Sequence, residues 1–372
     1  MIQPDRNDSQ FMARAIELAR QGWGRTYPNP MVGAVVVENG VVVSEGWHSA
    51  AGHAHAEIEA FRALGRNPQP GASLYVTLEP CSTTGRTGAC TEAILQSGIQ
   101  RVVVGTIDPN PVHRGAGLDH LRQAGIEVVE GVLAEDCADM NLLFNHWMSQ
   151  QTPFLAAKIA TTLDGKFCAA NGHSKWITGE AARKDVMRWR RYFPAIAASA
   201  ETILADNPAL NSRLPEGHWC PRRFLFDRTL KTLPHAHTLQ VFNDAQAEQT
   251  TLVCSEHTDI SSAQLSNFNI WQLPEKNNHI DLAAFRNRCR EEAIQGVYIE
   301  PGPRWTSALL AEQSIDYLFH YIAPKYMADT EAPGIGKTRR TSSMNEAYTL
   351  AHTRNKSLAD DLLVRGSILP AQ

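Results

Sequence analysis

Three short segments in the first 90 residues carry side chains that bind metal. His55-Ala56-Glu57 stands in the run GWHSAAGHAHAE, Pro80-Cys81 follows the apolar stretch Leu74–Leu78, and Cys90 comes nine positions after Cys81. One imidazole and two thiolates suit zinc, a borderline-soft ion that favours four tetrahedral ligands. Three protein ligands leave the fourth position for water, whose pKa the metal lowers until it is a nucleophile near neutral pH. Glu57, two residues beyond His55, then lies beside the open position without being a ligand. A carboxylate there can take a proton from the water and pass it to a departing amine, the arrangement of zinc deaminases that attack an amine-bearing ring carbon. Both ligand segments read as helix starts, where the dipole favours a thiolate over a thiol. His-x-Glu alone says little, and so do two cysteines nine apart; it is their combination with Pro-Cys after a strand that is specific. The competing reading is a pair of buried structural cysteines and a core histidine. His53 is a rival ligand, set aside because only His55 precedes a Glu at spacing two. His48 is either a substrate-side group or a packed core histidine.

These residues need a scaffold, and the pattern around them supplies one. Met31–Val37 and Val41–Val43 are Val-rich strands joined through Asn39-Gly40, a hairpin signal. His55–Leu64 reads as helix, Leu74–Leu78 as buried strand, and Cys90–Gln96 as helix with Gly98 past its end. Arg101–Thr106 is strand, Leu118–Gln123 helix closed by Gly125, and Ile126–Val129 strand. Strands separated by helices imply an α/β layered domain over residues 1–150. The strand pattern restarts at Phe154–Ala160, after Thr152-Pro153, and opens a second α/β domain over 151–372. Its strands are Ala195–Ala200, Arg223–Phe226, Thr251–Cys254, Val297–Ile299 and Tyr317–Ile322; its helices are Glu180–Tyr192, Leu282–Ile294 and Thr306–Glu312. No internal repeat is evident. Residues 328–356 are polar and weakly patterned, so no structure is assigned to them, and 243–280 resist parsing.

Composition narrows the functions. At about 150 residues per domain, 372 residues suggest two domains. A net charge of −4 argues against a general polyanion binder and so against a nucleic-acid base deaminase, which needs a basic face with aromatic stacking positions. The amino-terminal run MIQPDRNDSQ lacks a basic segment followed by an apolar one, and no apolar stretch approaches the ~20 residues that span a bilayer. Seven thinly spread cysteines argue against a disulfide framework. A cytoplasmic protein with no membrane or nucleic-acid partner is the expectation. A non-catalytic, zinc-stabilised interaction module is a further alternative, but structural zinc has no use for Glu57.

The motifs together resemble a known family, the bifunctional riboflavin biosynthesis enzymes that fuse a pyrimidine deaminase to a reductase. The resemblance runs through TYPNPMVGAVVV, H-x3-G-x2-HAE, TLEPCSTTGRTGAC, DPNP and AGIEV in the first half. In the second half it runs through LAAKIATTLDGK, GHSKWITG, TILADNPAL with Arg213, YIAPK and DDLLVRG. It implies a cytidine-deaminase-like three-layer domain followed by a dihydrofolate-reductase-like α/β domain. The implied reactions are hydrolytic deamination of 2,5-diamino-6-(5-phosphoribosylamino)pyrimidin-4-one, then NADPH reduction of the ribosyl to a ribityl side chain. By the same resemblance His55, Cys81 and Cys90 hold zinc, Glu57 shuttles the proton, and Asn29 contacts the pyrimidine ring, although PNP alone would read as a turn. Lys158, Ser174, Arg190, Leu210, Arg213 and Glu300 fall where the family holds the phosphorylated substrate. Ala160, Trp176, Thr202, Asp206 and the run from Gly302 fall where it holds NADPH. A homo-oligomer is also implied.

The chemistry of these residue types agrees in part. Arg190 and Arg213 can each fork onto a phosphate, and a Gly after a strand, as Gly302 is, lets backbone approach a dinucleotide phosphate. No G-x-G-x-x-G follows a strand, so a Rossmann domain is not expected. Most charges of Arg183–Arg191 read as a solvated helix face, and Trp176 as either a cofactor contact or a core aromatic. The chain departs from the family pattern at four places. Thr83, Thr84, Gly88 and Ala89 replace the His pair and Pro pair of the cysteine loop. Gly115-Ala116-Gly117 replaces a Gly-Arg-Gly, with Arg114 nearby. Arg228 follows Asp227 in place of a Ser, and Pro301, Arg304 and Trp305 crowd the Glu300–Gly302 loop. Arg228 and Arg304 are therefore alternative cations for the cofactor phosphates. A deaminase whose second domain is inert, or takes another sugar phosphate, is the alternative reading.

Overall fold

Asn39 and Gly40 both take positive φ, 50° and 77°, as a two-residue hairpin turn requires. They join β1 (Gly33–Glu38) to β2 (Val41–Trp47). The computed structural model describes residues 5, 7–83, 88–111, 113–261, 268–336 and 339–369. The chain divides into two compact units, Met1–Gln151 and Thr152–Gln372.

In the first unit β3 (Ser73–Leu78), β4 (Arg101–Thr106) and β5 (Glu127–Glu130) complete a five-stranded sheet of order β2-β1-β3-β4-β5. Pairing is antiparallel from β2 to β3 and parallel beyond. Every residue of β1 is buried, so both faces of the sheet must be covered. On one face the alternating Ala34, Val36, Leu74, Val76, Val102 and Val104 pack against α2 (Ala56–Leu64), α3 (Cys90–Ser97) and α4 (Ala116–Gln123). On the other lies α1 (Asp8–Ala19), where Phe11 meets Tyr75 at 5.1 Å between ring centroids. The result is three layers. Two further helices, α5 (Ala134–Met140) and α6 (Leu142–Gln150), end the unit.

A buried charge pins α1 to the sheet. Both carboxylate oxygens of Asp8, 1% exposed, accept from the Arg101 guanidinium at 2.9 Å, and Tyr75 Oη donates to one of them at 2.8 Å. Burial alone would raise this carboxyl, but the bonds from Arg101 and Tyr75 hold it below the ordinary aspartate range. Asp8→Ala removes the buried carboxylate from Arg101, which keeps only its Nε bond to Glu127 and its contact with Tyr75, and is expected to destabilise the first unit by about 1.5–3 kcal/mol in denaturant unfolding. The sign with pH follows from the lowered pKa. The contribution is present above the aspartate pKa of the unfolded chain and is lost as pH falls through the folded value, so wild type and variant should converge in acid.

The second unit is built on a nine-stranded sheet. Its strands are β6 (Phe154–Thr162), β7 (Ala195–Ser199), β10 (Arg222–Phe226), β11 (Thr250–Ser255), β12 (Asn269–Leu273), β15 (Gly296–Glu300), β16 (Tyr317–Ala323), β17 (Thr349–Leu358) and β18 (Asp361–Leu369). Small hairpins β8 (Ser212–Leu214) with β9 (Gly217–Trp219), and β13 (Glu275–Lys276) with β14 (His279–Ile280), lie outside it. The order is β12-β11-β10-β7-β15-β6-β16-β18-β17, parallel except for the β16-β18-β17 edge. Crossovers run through α7 (Glu180–Tyr192), α8 (Ala200–Asp206), α9 (Gln240–Asn243), α10 (Leu282–Glu291) and α11 (Pro303–Ala311). β15 inserts between β7 and β6, so the carboxyl ends of these three strands form the crevice where such sheets bind ligands.

Several expectations from sequence are corrected. Residues 328–356 are not structureless: β17 occupies Thr349–Leu358 and pairs with β18, which the reading also passed over. The 243–280 stretch holds β11, β12 and the small hairpin. Helix Leu282–Ile294 stops at Glu291, because Ala293 turns to φ 54° ahead of β15. Helix Thr306–Glu312 begins earlier, at Pro303, a residue suited to the first helical position. Ala200 belongs to α8 rather than to the strand before it.

Candidate active sites

His55 is the residue before the first turn of α2, with φ −72° and ψ 161°. Gly46 on β2 fixes where that turn lies: a Cβ there would sit 2.3 Å from Ala60 N and 2.4 Å from Ala56 O, so helix backbone presses directly onto the strand. Cys81 follows β3, and Cys90 opens α3. Of the two cysteines only Cys90 starts a helix, but its backbone N–H donates to Cys81 Sγ at 3.3 Å, so both sulfurs meet the same helix terminus. His55 Nδ1 lies 3.2 Å from Cys90 Sγ and 3.5 Å from Cys81 Sγ. The three ligand atoms all fall within 4.8 Å of one another, a separation that one tetrahedral zinc spans, and the imidazole and two thiols are the donor set it prefers. Hydrogen bonds from Cys90 and His55 hold the Cys81 thiol well below its usual range, whereas Cys90 is pushed up by its bond to Cys81 and by burial.

Glu57 lies in the first turn of α2, 3% exposed, with its carboxyl against the Cys90 thiol. Burial pushes its pKa up, toward a group that holds a proton rather than one permanently ionised. His53 is outside the cluster: its Nδ1 meets Ser49 Oγ at 2.9 Å. His48 is buried, and burial lowers its pKa. Its Nδ1 must donate to Ala54 O (3.0 Å), since a carbonyl only accepts. Nε2 is then an acceptor, and Asn29 Nδ2 donates to it at 3.2 Å. His48 is thus a packed histidine that orients the exposed Asn29 amide.

Glu79 carries more than its place in TLEPC announced. Its buried carboxylate accepts from the backbone N–H groups of Asp108 (3.0 Å), Gly115 (2.9 Å) and Gly117 (2.9 Å), and so fixes the loop beside Pro80. A Cβ at Gly117 would lie 2.3 Å from Pro80 O. The only sequence signal was a carboxylate at the end of a buried strand, which must find donors. In the cysteine loop, Thr83, Gly88 and Ala89 are described; Thr84 and the GRT run of 85–87 lie outside the described residues.

In the second unit the predicted residues divide. Lys158 on β6 and Glu300 at the end of β15 lie together with Arg190 of α7, and the exposed Asp206 acts on Lys158 through its charge. Burial lowers Lys158, opposed by the charge of Glu300. Arg190 is not a free phosphate fork: its Nε and NH2 donate to Glu300 at 2.7 and 2.9 Å, and NH1 donates to Asn211 O. Arg190 and the buried Asp185, which accepts from Tyr321 Oη and Lys356 Nζ, are exceptions to the solvated face read for this helix. Arg213, by contrast, is exposed on β8 with no hydrogen-bond or ion-pair partner among the described residues. Ser174 is half-buried, and Leu210 is buried at φ 48°. Trp176 is 65% exposed, which rules out a core role; the Arg183 guanidinium stacks on it at 4.5 Å. Ala160 is half-buried on β6. Thr202, in the first turn of α8, faces Gly302, where a Cβ would lie 3.6 Å from Thr202 Oγ1. Beside this pair a cavity of about 1000 Å³ opens between Ser199–Glu201, Phe226–Thr229 and the start of α11, the upper end of small-molecule site sizes.

Comparison with known proteins decides the family. Residues 5–106 match the family of the cytidine and deoxycytidylate deaminase zinc-binding region, and 153–355 match the RibD C-terminal domain. The riboflavin biosynthesis protein RibD of Actinobacillus pleuropneumoniae is 36% identical over 96% of this chain and 94% of its own. That of Escherichia coli is also 36% identical, over 88% and 90%. This chain belongs to the RibD family. Solved structures agree. Acinetobacter baumannii RibD superposes with a TM-score of 0.79 at 32% identity, covering 98% of this chain and 99% of that one. The Thermotoga maritima diaminohydroxyphosphoribosylaminopyrimidine deaminase/5-amino-6-(5-phosphoribosylamino)uracil reductase does so with 0.78 at 34%, covering 98% of each. As a RibD protein the chain is a bifunctional enzyme of riboflavin biosynthesis, a zinc deaminase and an NADPH-dependent reductase. The likeness extends over both units, so a deaminase with an inert second domain is not favoured. No helix among the described residues is long and apolar enough to cross a membrane.

Proposed function

We propose that residues 1–150 carry the deamination and 151–372 the reduction, with the residues named above in these roles. His55, Cys81 and Cys90 hold zinc, whose bound chemistry is to lower the pKa of a water. Asn29, set by His48, contacts the ring, and Glu57 takes a proton from the water and delivers it to the amine as ammonia leaves. The observation that carries this reading is the convergence of the three ligand atoms with Glu57 buried beside them.

For the second step Lys158, Ser174, Arg190, Leu210, Arg213 and Glu300 surround the phosphorylated substrate. Arg213, exposed and without a side-chain partner among the described residues, is the fork for the phosphate, and Arg190 acts through Glu300. Ala160, Trp176, Thr202, Asp206 and Gly302 border the cofactor, which supplies hydride when bound. The hydride goes to the sugar carbon bonded to nitrogen, and the ring oxygen that leaves it takes a proton. Lys158, a half-buried ammonium, is the donor for that proton. The substrate is the small phosphoribosylaminopyrimidine; the enzyme works in the cytoplasm as a homo-oligomer.

Zinc removal separates the halves. After dialysis against a chelator, deamination followed by ultraviolet absorbance should vanish, while reduction of the deaminated substrate by NADPH continues. Readdition of one equivalent of zinc should restore the first activity. Deamination that survives full loss of metal would overturn the assignment.

A further inference from the structure

The cavity beside Gly302 holds charges that the reading above does not use. Arg304 is the second residue of α11, exposed, with no hydrogen-bond or ion-pair partner among the described residues. A cation in a first helical turn opposes the dipole, so its charge stands at an end that favours anions. Arg228 lines the same cavity from the loop after β10. Only its NH1 is engaged, by Glu275 at 3.1 Å, and the side chain is half-exposed. The adjacent Asp227 does not cancel these charges toward a ligand: it is wholly buried, and its oxygens accept from Lys231 N, Thr232 N and Thr232 Oγ1. It holds the loop that presents Arg228. Phe226 and Trp305 meet at 4.7 Å and give the cavity an aromatic wall.

The cavity therefore joins two guanidinium groups, the amino-terminal end of a helix and a flat apolar surface. We propose that Arg228 and Arg304 grip the ribose 2′-phosphate of NADPH and set this chain's preference for NADPH over NADH. The proposal rests on the cleft being the cofactor site. A ribose site built for NADH presents a carboxylate to the 2′-hydroxyl, whereas a guanidinium accommodates the 2′-phosphate. Here Arg228 and Arg304 both keep unengaged N–H donors suited to fork onto a dianion, while the lining carboxylates Glu201 and Glu312 already accept from Lys231 Nζ and Asn277 Nδ2. The chain's two largest departures in this domain, a cation after Asp227 and another after Gly302, then serve a single ligand group.

Equilibrium binding to the zinc-loaded full-length protein tests this, with NADPH, NADH, adenosine 2′,5′-bisphosphate and 5′-AMP as probes and calorimetry as readout. Wild type should bind each 2′-phosphorylated probe at least about tenfold more tightly than its partner, the scale of one charge-assisted bond. Arg304→Ala and Arg228→Ser should each weaken NADPH and the bisphosphate about tenfold, leave NADH and 5′-AMP within about twofold, and flatten the salt dependence of NADPH binding. Arg304→Lys should retain part of the affinity. Unchanged deamination and thermal midpoint confirm folding. Variants that weaken both dinucleotides equally, or neither, overturn the arginine assignment and leave the cofactor cleft standing. Failure of both dinucleotides to bind wild type overturns the cleft and the arginine assignment together.

Discussion

Glu57→Gln is expected to lower deamination by about 10²–10⁴-fold, the usual contribution of a positioned acid–base group. One zinc per chain should be retained, and the NADPH-dependent step should be unaffected. The reasoning starts from burial. Glu57 sits in a helix first turn whose preceding residue is the ligand His55, and its carboxyl is almost fully removed from solvent. Glutamine has the same shape and avoids an ionised group in that environment, so packing and metal affinity should survive. It cannot accept and return a proton. Metal analysis and single-turnover kinetics on the same sample separate the effects. Retained turnover with bound zinc would remove Glu57 from the mechanism, and zinc lost along with activity would make it structural. The second outcome runs against the ligand geometry, in which Nδ1 and the two sulfurs already lie within 4.8 Å without it.

The metal trio was legible in sequence because each ligand falls at an element boundary that sequence marks well. His55 precedes an apolar-periodic helix, Cys81 follows a run of buried β residues, and Cys90 starts a helix that ends at Gly98 in the left-handed region. Local signals of this kind survive folding because buried strands and capped helices place their end residues predictably. What sequence did not give depends on contacts between distant residues. Arg190 reads as one more cation in the run RWRRY, and only Glu300, 110 positions away, makes it a buried bidentate partner. The Glu79 carboxylate needs three amides from a loop about 30 to 40 residues on. The β17–β18 edge was missed for another reason: β17 is largely exposed, with no buried face to impose an alternating pattern. Helices α5 and α6 are joined through Asn141 with no Gly or Pro to mark the break.

Lys158→Met should cut the reductase step by about 10²–10⁴-fold if the side chain delivers the proton to the leaving ring oxygen, with deamination unchanged. The electrostatics of the site make this more than a deletion test. Lys158 and Arg190 set two cations against Glu300, with the Asp206 charge acting less strongly; burial and Arg190 lower the lysine pKa, while Glu300 and Asp206 raise it. The active form is protonated, so activity should fall as pH rises, on a limb below the ordinary lysine range. Glu300→Gln removes the charge that supports the proton and should move that limb to still lower pH, while its amide oxygen can still accept from Arg190. The same shift fixes the sign for stability. A lysine whose folded pKa is lowered costs stability at pH values below its unfolded pKa, because folding must bury the charged form. Lys158→Met leaves a balanced Arg190–Glu300 pair and should raise the thermal midpoint even as it abolishes reduction. That opposition, typical of residues kept for chemistry rather than for folding, distinguishes a catalytic lysine from a structural one. Loss of stability together with activity would mark Lys158 as a member of the ion-pair framework, and the proton would have to come from elsewhere.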